Sequence, residues 1–522
     1  MIHRSPLPDI EIPELSYPAM ALANAEALGE RAAFIDATSG RTLTYRCLLR
    51  QVRAVAAGLA ALGLRKGEVF AIALPNCPEF AVAVYAVTSL GGIVTTVNPL
   101  YTPGELVHQL HDAGARYLLT LPTLLETYRE ALAGTGLRHI FVVGAASGAT
   151  SLAELAACPD APPVVAIDPR RDIAFLPYSS GTTGLPKGVL LSHYNLVANI
   201  CQIIHGPNSF EDGEVIAGVP PMFHIYGITM YLGVAPSIGG TVISQTRFDF
   251  GQFIEAIARY RATFVVVVPP VALGLLHHPT ISNYDLTSVR MIISSAAPLP
   301  PAIANGIEER LGVKVRQGFG MTELAGASHV QRPDDPALSV GVALPNVYWK
   351  VVDPGNGALL GPGAQGEICI QSPAMMRGYL NRNDATAATI DADGWLHTGD
   401  LGYGDEAGRC FLVDRMKELI KFKGYQVAPA ELEAVLLSHP AVADAGCIAF
   451  PDDEAGEVPV AYVVRRGEVD AETLMAYVAA KVAPYKKLRA IEFIDALPKS
   501  PAGKLLRRVL LERSRATGAF AV

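Results

Sequence analysis

Residues 178–189 read YSSGTTGLPKGV, a run of small and hydroxyl-bearing residues that ends in a lysine. Glycines let the backbone approach a ligand closely, and hydroxyls beside one cation suit the oxygens of a phosphate. The residues that carry this pattern are Ser179, Ser180, Gly181, Thr182, Thr183, Gly184 and Lys187. The Walker A motif needs Gly-Lys-Ser/Thr, whereas Lys187 stands between Pro186 and Gly188, so a P-loop NTPase is disfavoured. The run predicts a nucleotide-phosphate loop of another kind, with a flexible surface loop as the alternative.

The segments around this loop indicate how it is positioned. From residue 42, strand-like and helix-like stretches alternate, which predicts parallel sheets covered by helices on both faces. After about residue 340, short strands separated by Gly, Asp and Pro are typical of antiparallel structure. The predicted fold is therefore α/β: a large N-terminal domain (1–414) of parallel α/β sheets plus a small antiparallel β region, and a small α+β C-terminal domain (415–522).

Composition limits the possible partners and the compartment. The formal net charge of −8 gives no reason to expect nucleic acid or an anionic membrane as a partner. Seven scattered cysteines without a CxxC pair indicate reduced thiols rather than disulfides or a zinc site. The apolar stretches 80–104 and 215–246 are interrupted by Gly, Pro and polar residues, so they predict buried elements rather than membrane spans. We expect a cytoplasmic enzyme.

Seven further motifs follow the opening loop in a fixed order. They are PMFHIYG (221–227), SSAAPL (294–299), QGFGMTE (317–323), GEICI (366–370), WLHTGD (395–400), VDRMKELIKFKGYQVAPAELE (413–433) and PKSPAGK (498–504). Together with the loop, this series resembles the adenylate-forming superfamily of acyl-CoA synthetases, adenylation domains and firefly luciferase. It is most similar to the 4-coumarate:CoA ligases, over essentially the whole chain.

The resemblance implies a site for ATP and Mg²⁺. The glycine-rich loop and Thr322 would contact phosphate oxygens, and Glu323 would hold the Mg²⁺ ion. Asp400, helped by Arg415, would accept the ribose hydroxyls. The adenine would lie between two short segments, Ala296, Ala297 and Pro298 on one side and Gln317, Gly318, Phe319 and Gly320 on the other. Phe319 stands where the family commonly has tyrosine, and it keeps the aromatic face that stacks on the base.

Further residues would perform the two half-reactions. By resemblance, Lys504 bridges the attacking carboxylate and the α-phosphate, and His224 is the gate between the acyl pocket and the thiol tunnel. The small domain would then rotate about Lys417 to present a second face to coenzyme A. The residues assigned to that face and to coenzyme A binding are Lys421, Lys423, Gly424, Gln426 and Arg247.

The acyl pocket is where the sequence departs from the plant ligases. The residues that would line it are Ile225, Tyr226, Thr229, Ile293 and Ser295, with Gln317 and Gly318. Plant enzymes usually carry Lys followed by Ser-Gly where this chain has Ile293, Ser294 and Ser295. Losing the cation makes the pocket less polar, which favours cinnamate-like or medium-chain apolar acids.

Four functions remain open at this point. The leading one is an acid–CoA ligase, a monomer or homodimer that uses ATP, Mg²⁺ and coenzyme A. The alternatives are a stand-alone adenylation enzyme that loads a carrier protein, a luciferase-like oxygenase, and a non-catalytic nucleotide-binding module. The presence of Lys504, Glu323 and Asp400 together disfavours the last of these.

Overall fold

The computed structural model describes residues 1–158, 160–179, 186–423, 425–452, 455–500 and 503–520, with Gln426 described by its backbone alone. Six residues assigned to ligand binding lie outside the described residues: Ser180, Gly181, Thr182, Thr183, Gly184 and Gly424.

The strands and helices have the following bounds. The strands are β1 Ile2–Arg4, β2 Ala32–Asp36, β3 Thr42–Thr44, β4 Val69–Ile72, β5 Ile93–Thr96, β6 Tyr117–Thr120, β7 His139–Val142, β8 Thr150–Ser151, β9 Ile173–Phe175, β10 Tyr178–Ser179, β11 Lys187–Ser192, β12 Val215–Gly218, β13 Thr241–Ser244, β14 Phe264–Val267, β15 Met291–Ser294, β16 Lys314–Met321, β17 Gly326–Val330, β18 Gly341–Ala343, β19 Tyr348–Val352, β20 Gly366–Gln371, β21 Gly378–Tyr379, β22 Leu396–Gly404, β23 Arg409–Arg415, β24 Ile420–Phe422, β25 Tyr425–Val427, β26 Val442–Asp452, β27 Gly456–Arg465 and β28 Ala490–Phe493. The helices are α1 Tyr17–Ala21, α2 Ala25–Leu28, α3 Tyr45–Ala61, α4 Pro78–Ser89, α5 Pro103–Ala113, α6 Pro122–Tyr128, α7 Leu152–Leu155, α8 His193–Ile204, α9 Ile225–Thr229, α10 Ala235–Ser237, α11 Phe250–Arg259, α12 Pro269–His277, α13 Pro301–Leu311, α14 Asn383–Thr389, α15 Pro429–Leu437, α16 Ala471–Ala479 and α17 Arg507–Thr517, with a π-helical turn at Met230–Val234 and 3₁₀ turns at Ile281–Asn283, Thr322–Leu324 and Pro484–Lys486.

The largest sheet joins a parallel half to an antiparallel half. Within the described residues its fourteen strands run in the order β1-β19-β20-β22-β23-β18-β17-β16-β15-β14-β12-β13-β2-β3. Pairing is parallel from β16 through β15, β14, β12 and β13 to β2, and antiparallel from β16 to β1. Strands such as β14, FVVV, are buried throughout, as expected of parallel strands covered on both faces. The change from parallel to antiparallel pairing therefore occurs at β16, the strand that carries QGFGM.

Two further sheets complete the fold. In one of them, β9, β5, β4, β6, β7 and β8 pair in parallel, and β11 adds to β9 in the antiparallel sense. The other contains β24 to β28, all of them from residues after Leu419, with α15 and α16 packed on its apolar side chains. The predicted α/β fold class, with parallel sheets, an antiparallel region and a small α+β unit, is confirmed. The boundary at 414/415 falls at the end of β23 and stays a prediction.

The two apolar stretches form buried secondary structure. Residues 80–104 contain most of α4, the turn at Gly91 and β5, whereas 215–246 contains β12, α9, the π-helical turn, α10 and β13. Among the described residues, no helix has both the length and the apolar character needed to cross a bilayer. All seven cysteines are free thiols.

The packing of α3 against α7 gives a stability prediction. A Cβ on Gly58 of α3 would lie 2.2 Å from the backbone oxygen of Leu155, whereas a Cβ on Gly104 of α5 would have no atom within 4 Å. We expect Gly58→Ala to lower the free energy of unfolding by about 1–3 kcal/mol, because a backbone contact cannot relax as a side chain does. Gly104→Ala is the matched control and should be neutral or stabilising by up to about 1 kcal/mol. Urea denaturation followed by circular dichroism measures both, and equal effects would contradict the packing described here.

Candidate active site

The phosphate end of the site is built from the β10–β11 hairpin and the turn after β16. Ser179 and Lys187 are directly opposite each other in the hairpin. Thr322 and Glu323 form the following 3₁₀ turn, and both side chains are buried. The Ser179 hydroxyl donates to Glu323 Oε1 at 3.0 Å, so one residue of the predicted phosphate loop contacts the carboxylate predicted to bind Mg²⁺. Mg²⁺ prefers oxygen ligands and needs few from the protein when it also binds phosphates. The Glu323 carboxylate and the neighbouring Thr322 hydroxyl therefore fit the ion.

Asp400 is the buried acid of the site. Its Oδ1 is 2.7 Å from Arg415 Nε, whereas Oδ2 has no hydrogen-bond partner within the part of the chain that the structure describes. Burial raises the pKa of Asp400 to about 6, although the positive charges of Arg415 and Lys504 oppose the shift. A buried acceptor without a partner is costly, so Oδ2 is available to accept from a ligand hydroxyl.

A hydrogen-bonded relay holds the segment that leads to Asp400. His397 Nδ1 is 2.8 Å from Glu367 Oε2, and its Nε2 is 3.4 Å from Asp391 Oδ2. Glu367 Oε1 accepts the Gly399 N–H, and the Asp400 N–H donates to the Thr398 hydroxyl. The relay fixes the backbone on which Asp400 is carried.

Glu367, Cys369 and His397 are also the one group of three potential metal ligands found among the described residues. Both ring nitrogens of His397 already face carboxylates. Burial, followed by the charge of Glu367, raises the pKa of the Cys369 thiol to about 12. A neutral thiol is a poor ligand, so the cluster is better explained by its support of Asp400.

Lys504 lies at the seam between the small sheet and the large one. Burial, followed by the charge of Arg415, lowers the pKa of Lys504, whereas Glu418 and Asp400 oppose this shift, so Lys504 belongs to the same charge cluster as Asp400. The preceding Gly503 has φ +79°, and a Cβ there would lie 2.9 Å from Val268 Cγ2. Gly503 therefore lies against the start of α12, and Lys504 follows it.

His224 is the N-cap residue of α9, and it lies within the electrostatic reach of Lys504. Its Nδ1 accepts the Tyr226 N–H at 3.3 Å, so the neutral ring carries its proton on Nε2. Burial lowers the pKa of His224 to about 4, and the charge of Lys504 adds to this effect. The histidine is therefore neutral at physiological pH.

Of the two segments predicted to bind the adenine, one follows the end of β15 and the other lies on the neighbouring strand β16. Ala296 has φ +75°, a left-handed conformation that is unusual for alanine and typical of ligand sites; Ala297 and Pro298 follow it in the same turn. Phe319 is only 7% exposed, and Gly318 and Gly320 flank it in β16. The Gln317 side chain accepts the Leu299 N–H and donates to Ala337 O, each at 2.7 Å. Gln317 therefore holds the turn after Pro298 in place.

Three hydroxyls of the predicted acyl pocket donate to backbone carbonyls. Tyr226 donates to Ile293 O at 3.4 Å, Thr229 to Ala325 O at 2.7 Å, and Ser295 to Gly318 O at 2.7 Å. Ile225 is buried beside them in α9, and Ile293 is partly buried. The donor capacity of all three hydroxyls is therefore used within the protein.

The residues assigned to coenzyme A lie elsewhere. Lys421 and Lys423 are exposed on the β24–β25 hairpin, and Gln426 is in β25, whereas Lys504 is on the segment between β28 and α17. Arg247 is exposed after β13, and Lys417 is exposed in the turn between β23 and β24. Among the described residues, the structure thus brings the predicted ATP, acyl and Lys504 positions into one region, and it places Lys421 and Lys423 on a different segment of the small sheet from Lys504.

Two features were missed from the sequence. Tyr379 donates its hydroxyl to Glu323 Oε1 at 2.8 Å and lies beneath Lys187. Arg507 makes ion pairs with Glu418 at 2.6 Å and with Glu433 at 2.8 Å. Tyr379 lies in the sequence GYLN and Arg507 in KLLRR, and neither stretch has a spacing of residues that is typical of a ligand site. The sequence feature that could have indicated Tyr379 is the glycine directly before it, because Phe319 and Asp400 of the predicted site also follow a glycine.

Comparison with known proteins agrees with this geometry. The AMP-binding enzyme family matches residues 22–380, and the AMP-binding enzyme C-terminal domain matches 431–504. The chain belongs to the AMP-binding enzyme family, and the predicted adenylate-forming ligase is confirmed.

Individual relatives extend over nearly the full chain. The chain is 41% identical to a 4-coumarate–CoA ligase of Pinus taeda, with 98% of this chain and 97% of the relative covered. It is similar to an anthranilate CoA ligase solved in complex with anthranoyl-AMP (TM-score 0.89, 25% identity, 98% and 99% covered). It is also similar to ATP-bound MatB from Rhodopseudomonas palustris (TM-score 0.87, 28% identity, 96% and 100% covered). The resemblance to 4-coumarate:CoA ligases is thus confirmed.

Asp400 gives a pH-dependent prediction. A ligand hydroxyl that donates to the ionised carboxylate favours the deprotonated form, so affinity should fall as the pH is lowered through about 6, where Asp400 takes up a proton. Adenosine is the suitable probe because it has no phosphate that titrates in this range. We expect its dissociation constant to rise by up to about tenfold per pH unit below the pKa. Asp400→Asn should bind weakly with no inflection, and a flat profile in the unmodified protein would contradict this role.

Proposed function

We propose that this enzyme is an ATP-dependent acid–CoA ligase that forms an acyl-adenylate, releases pyrophosphate and then transfers the acyl group to coenzyme A. The observation that carries the proposal is the placement of Lys504 in one charge cluster with Asp400 and Arg415, beside the neutral His224. The seven free thiols support a reducing compartment, and we propose the cytoplasm. A monomer or homodimer stays our expectation for the assembly.

The first half-reaction brings two anions together, a carboxylate and the α-phosphate of ATP. Two cations already in place, Lys504 and Arg415, offset the charge that develops there. Asp400 Oδ2 would accept from the ribose and fix the nucleotide. Glu323, with Thr322 beside it, would hold Mg²⁺, which neutralises phosphate charge when it is bound.

The second half-reaction would use another face of the small unit. Lys417 lies between two fixed points: the Met416 N–H donates to Gly399 O of β22, and Glu418 is paired with Arg507 of α17. A rotation confined to this short segment would withdraw Lys504 and bring Lys421, Lys423, Gly424 and Gln426 towards the acyl-adenylate. We propose Lys417 as the pivot of that rotation.

Pyrophosphate release, measured over a panel of acids with and without coenzyme A, tests the proposal. We expect a single turnover without coenzyme A and repeated turnover with it, accompanied by an acyl-CoA product. Adenylate formation without any thioester would instead favour the loading of a carrier protein. Light emission or oxygen uptake would favour an oxygenase, and the absence of acid-dependent pyrophosphate release would favour a binding module.

Lys504 gives the first prediction for this mechanism. Lys504→Ala should lower the rate of acid-dependent adenylation by about 10²–10³-fold, because one preorganised charge is lost. Thioester formation from a supplied acyl-adenylate should be largely preserved. The control is Arg508→Ala, which removes an exposed cation four residues away that is paired only with Glu512 among the described ion pairs. If Lys504→Ala slowed both half-reactions equally, separate faces for the two steps would be excluded.

The acyl pocket gives the second prediction. Tyr226, Thr229 and Ser295 already donate to carbonyls, and Ile293 offers no polar side-chain group. These side chains therefore keep no donor for the oxygen of a ring hydroxyl, and only their own oxygens are left to accept its proton. We expect kcat/KM for cinnamate or octanoate to equal or exceed that for 4-coumarate. Burial of a poorly paired hydroxyl costs about 1–3 kcal/mol, roughly 5- to 150-fold in specificity.

Two variants make this test sharper. Ile293→Lys should shift preference towards 4-coumarate, whereas Tyr226→Phe should change the ratio little, because that hydroxyl is directed to Ile293 O. A strong preference of the unmodified enzyme for 4-coumarate, unaltered by Ile293→Lys, would overturn this account of the pocket.

A further inference from the structure

Tyr379 occupies the space between the two charged groups at the phosphate end of the site. It forms β21 with Gly378 and lies opposite Val189 of β11, two residues after Lys187. Its N–H donates to the Thr386 hydroxyl at 2.9 Å, and the residue is only 7% exposed. The backbone and the side chain of this tyrosine are therefore both held in place.

The two ends of the side chain contact groups of opposite charge. The hydroxyl donates to Glu323 Oε1 at 2.8 Å, the same oxygen that accepts from Ser179. Lys187 Nζ lies 4.6 Å from the centroid of the ring, within range of a cation–π interaction. Burial, followed by the charge of Glu323, raises the pKa of Tyr379 above its ordinary value, so the hydroxyl stays a donor.

The arrangement keeps Lys187 and Glu323 apart. Within the described part of the chain, no ion pair joins them directly, although both contact the same side chain. A direct pair would neutralise the lysine and the carboxylate before a nucleotide binds. An aromatic ring between them leaves the cation with a weak partner and the carboxylate with neutral donors, so both can exchange partners readily.

We propose that Tyr379 is a positioning residue that orients Glu323 through its hydroxyl and, through its ring, prevents Lys187 from pairing with Glu323. This inference rests on the proposed function, because it assigns Mg²⁺ to Glu323 and ATP phosphates to Lys187. The two roles belong to different atoms of one side chain, so two substitutions separate them. Tyr379→Phe removes only the hydroxyl, and Tyr379→Leu removes the ring as well.

Calorimetric titration with ATP, without any acid substrate, distinguishes the two roles. In EDTA, Tyr379→Phe should bind ATP as the unmodified enzyme does, because Lys187 still lies over a ring. Mg²⁺ should tighten ATP binding by the unmodified enzyme. In Tyr379→Phe this Mg²⁺-dependent increase in affinity should be roughly 3- to 30-fold smaller, because one donor to Glu323 is absent. Tyr379→Leu should also bind metal-free ATP roughly 3- to 30-fold more weakly, because Lys187 is then free to pair with Glu323.

The control is Tyr117→Phe, which removes another buried hydroxyl that donates to a carboxylate, that of Glu68, at 3.2 Å. This variant should match the unmodified enzyme under both conditions, and circular dichroism should show that all variants are folded. The proposal is overturned if Tyr379→Phe keeps the full Mg²⁺-dependent gain, or if Tyr379→Leu binds metal-free ATP as tightly as Tyr379→Phe does. Failure of the proposed function would be seen separately, as no acid-dependent pyrophosphate release by the unmodified enzyme.

Discussion

The ion pair between Asp400 and Arg415 is the interaction on which the site depends. The two residues are cross-strand partners on β22 and β23, at the point where the chain leaves the large sheet for the small one. One oxygen of the buried carboxylate is paired, and the other has no partner among the described residues. This arrangement keeps a charge in a buried position and leaves one acceptor for a ligand. Burying an acceptor without a partner costs free energy, and a bound ligand that donates to it would offset that cost.

Contacts from both the large sheet and the small unit hold the segments around this ion pair in place. From the large sheet, the relay of His397, Glu367 and Gly399 fixes the backbone before Asp400. From the small unit, Arg507 pairs with both Glu418 and Glu433 and so fixes the segment that follows Lys417. Arg507 itself lies only three residues after Lys504 in the chain. Lys504, the further cation of the cluster, is thus carried on the small unit, and the proposed rotation of that unit would change which of its residues face the nucleotide.

The sequence was sufficient for the fold class and for residues that act through local motifs. Strand and helix alternation predicted the parallel sheets, and the ordered motifs predicted Asp400, Glu323 and Lys504 at one site. It was insufficient for contacts that depend on tertiary packing. Tyr379 meets Glu323 across 56 residues of sequence, and the acyl-pocket hydroxyls donate to carbonyls on other strands. The spacing of these residues in the sequence does not indicate that they meet. Their proximity depends on the pairing of β21 with β11 and on the packing of α9 beside β15.

We propose that the orientation described here, in which Lys504 and Asp400 share one charge cluster, is the one that forms the adenylate. Arg466 Nη1 of the small unit lies 3.2 Å from His277 Nε2 at the end of α12, and both residues are exposed. Cysteines at these two positions, joined by a short bismaleimide in a protein whose partly exposed Cys47 and Cys158 are replaced by serine, would tether this orientation. We expect the tethered enzyme to release one equivalent of pyrophosphate with ATP and an acid, and its acyl-CoA output to fall far below that of the same variant without the bismaleimide. Undiminished thioester output from the tethered enzyme, or loss of the pyrophosphate burst, would contradict this proposal.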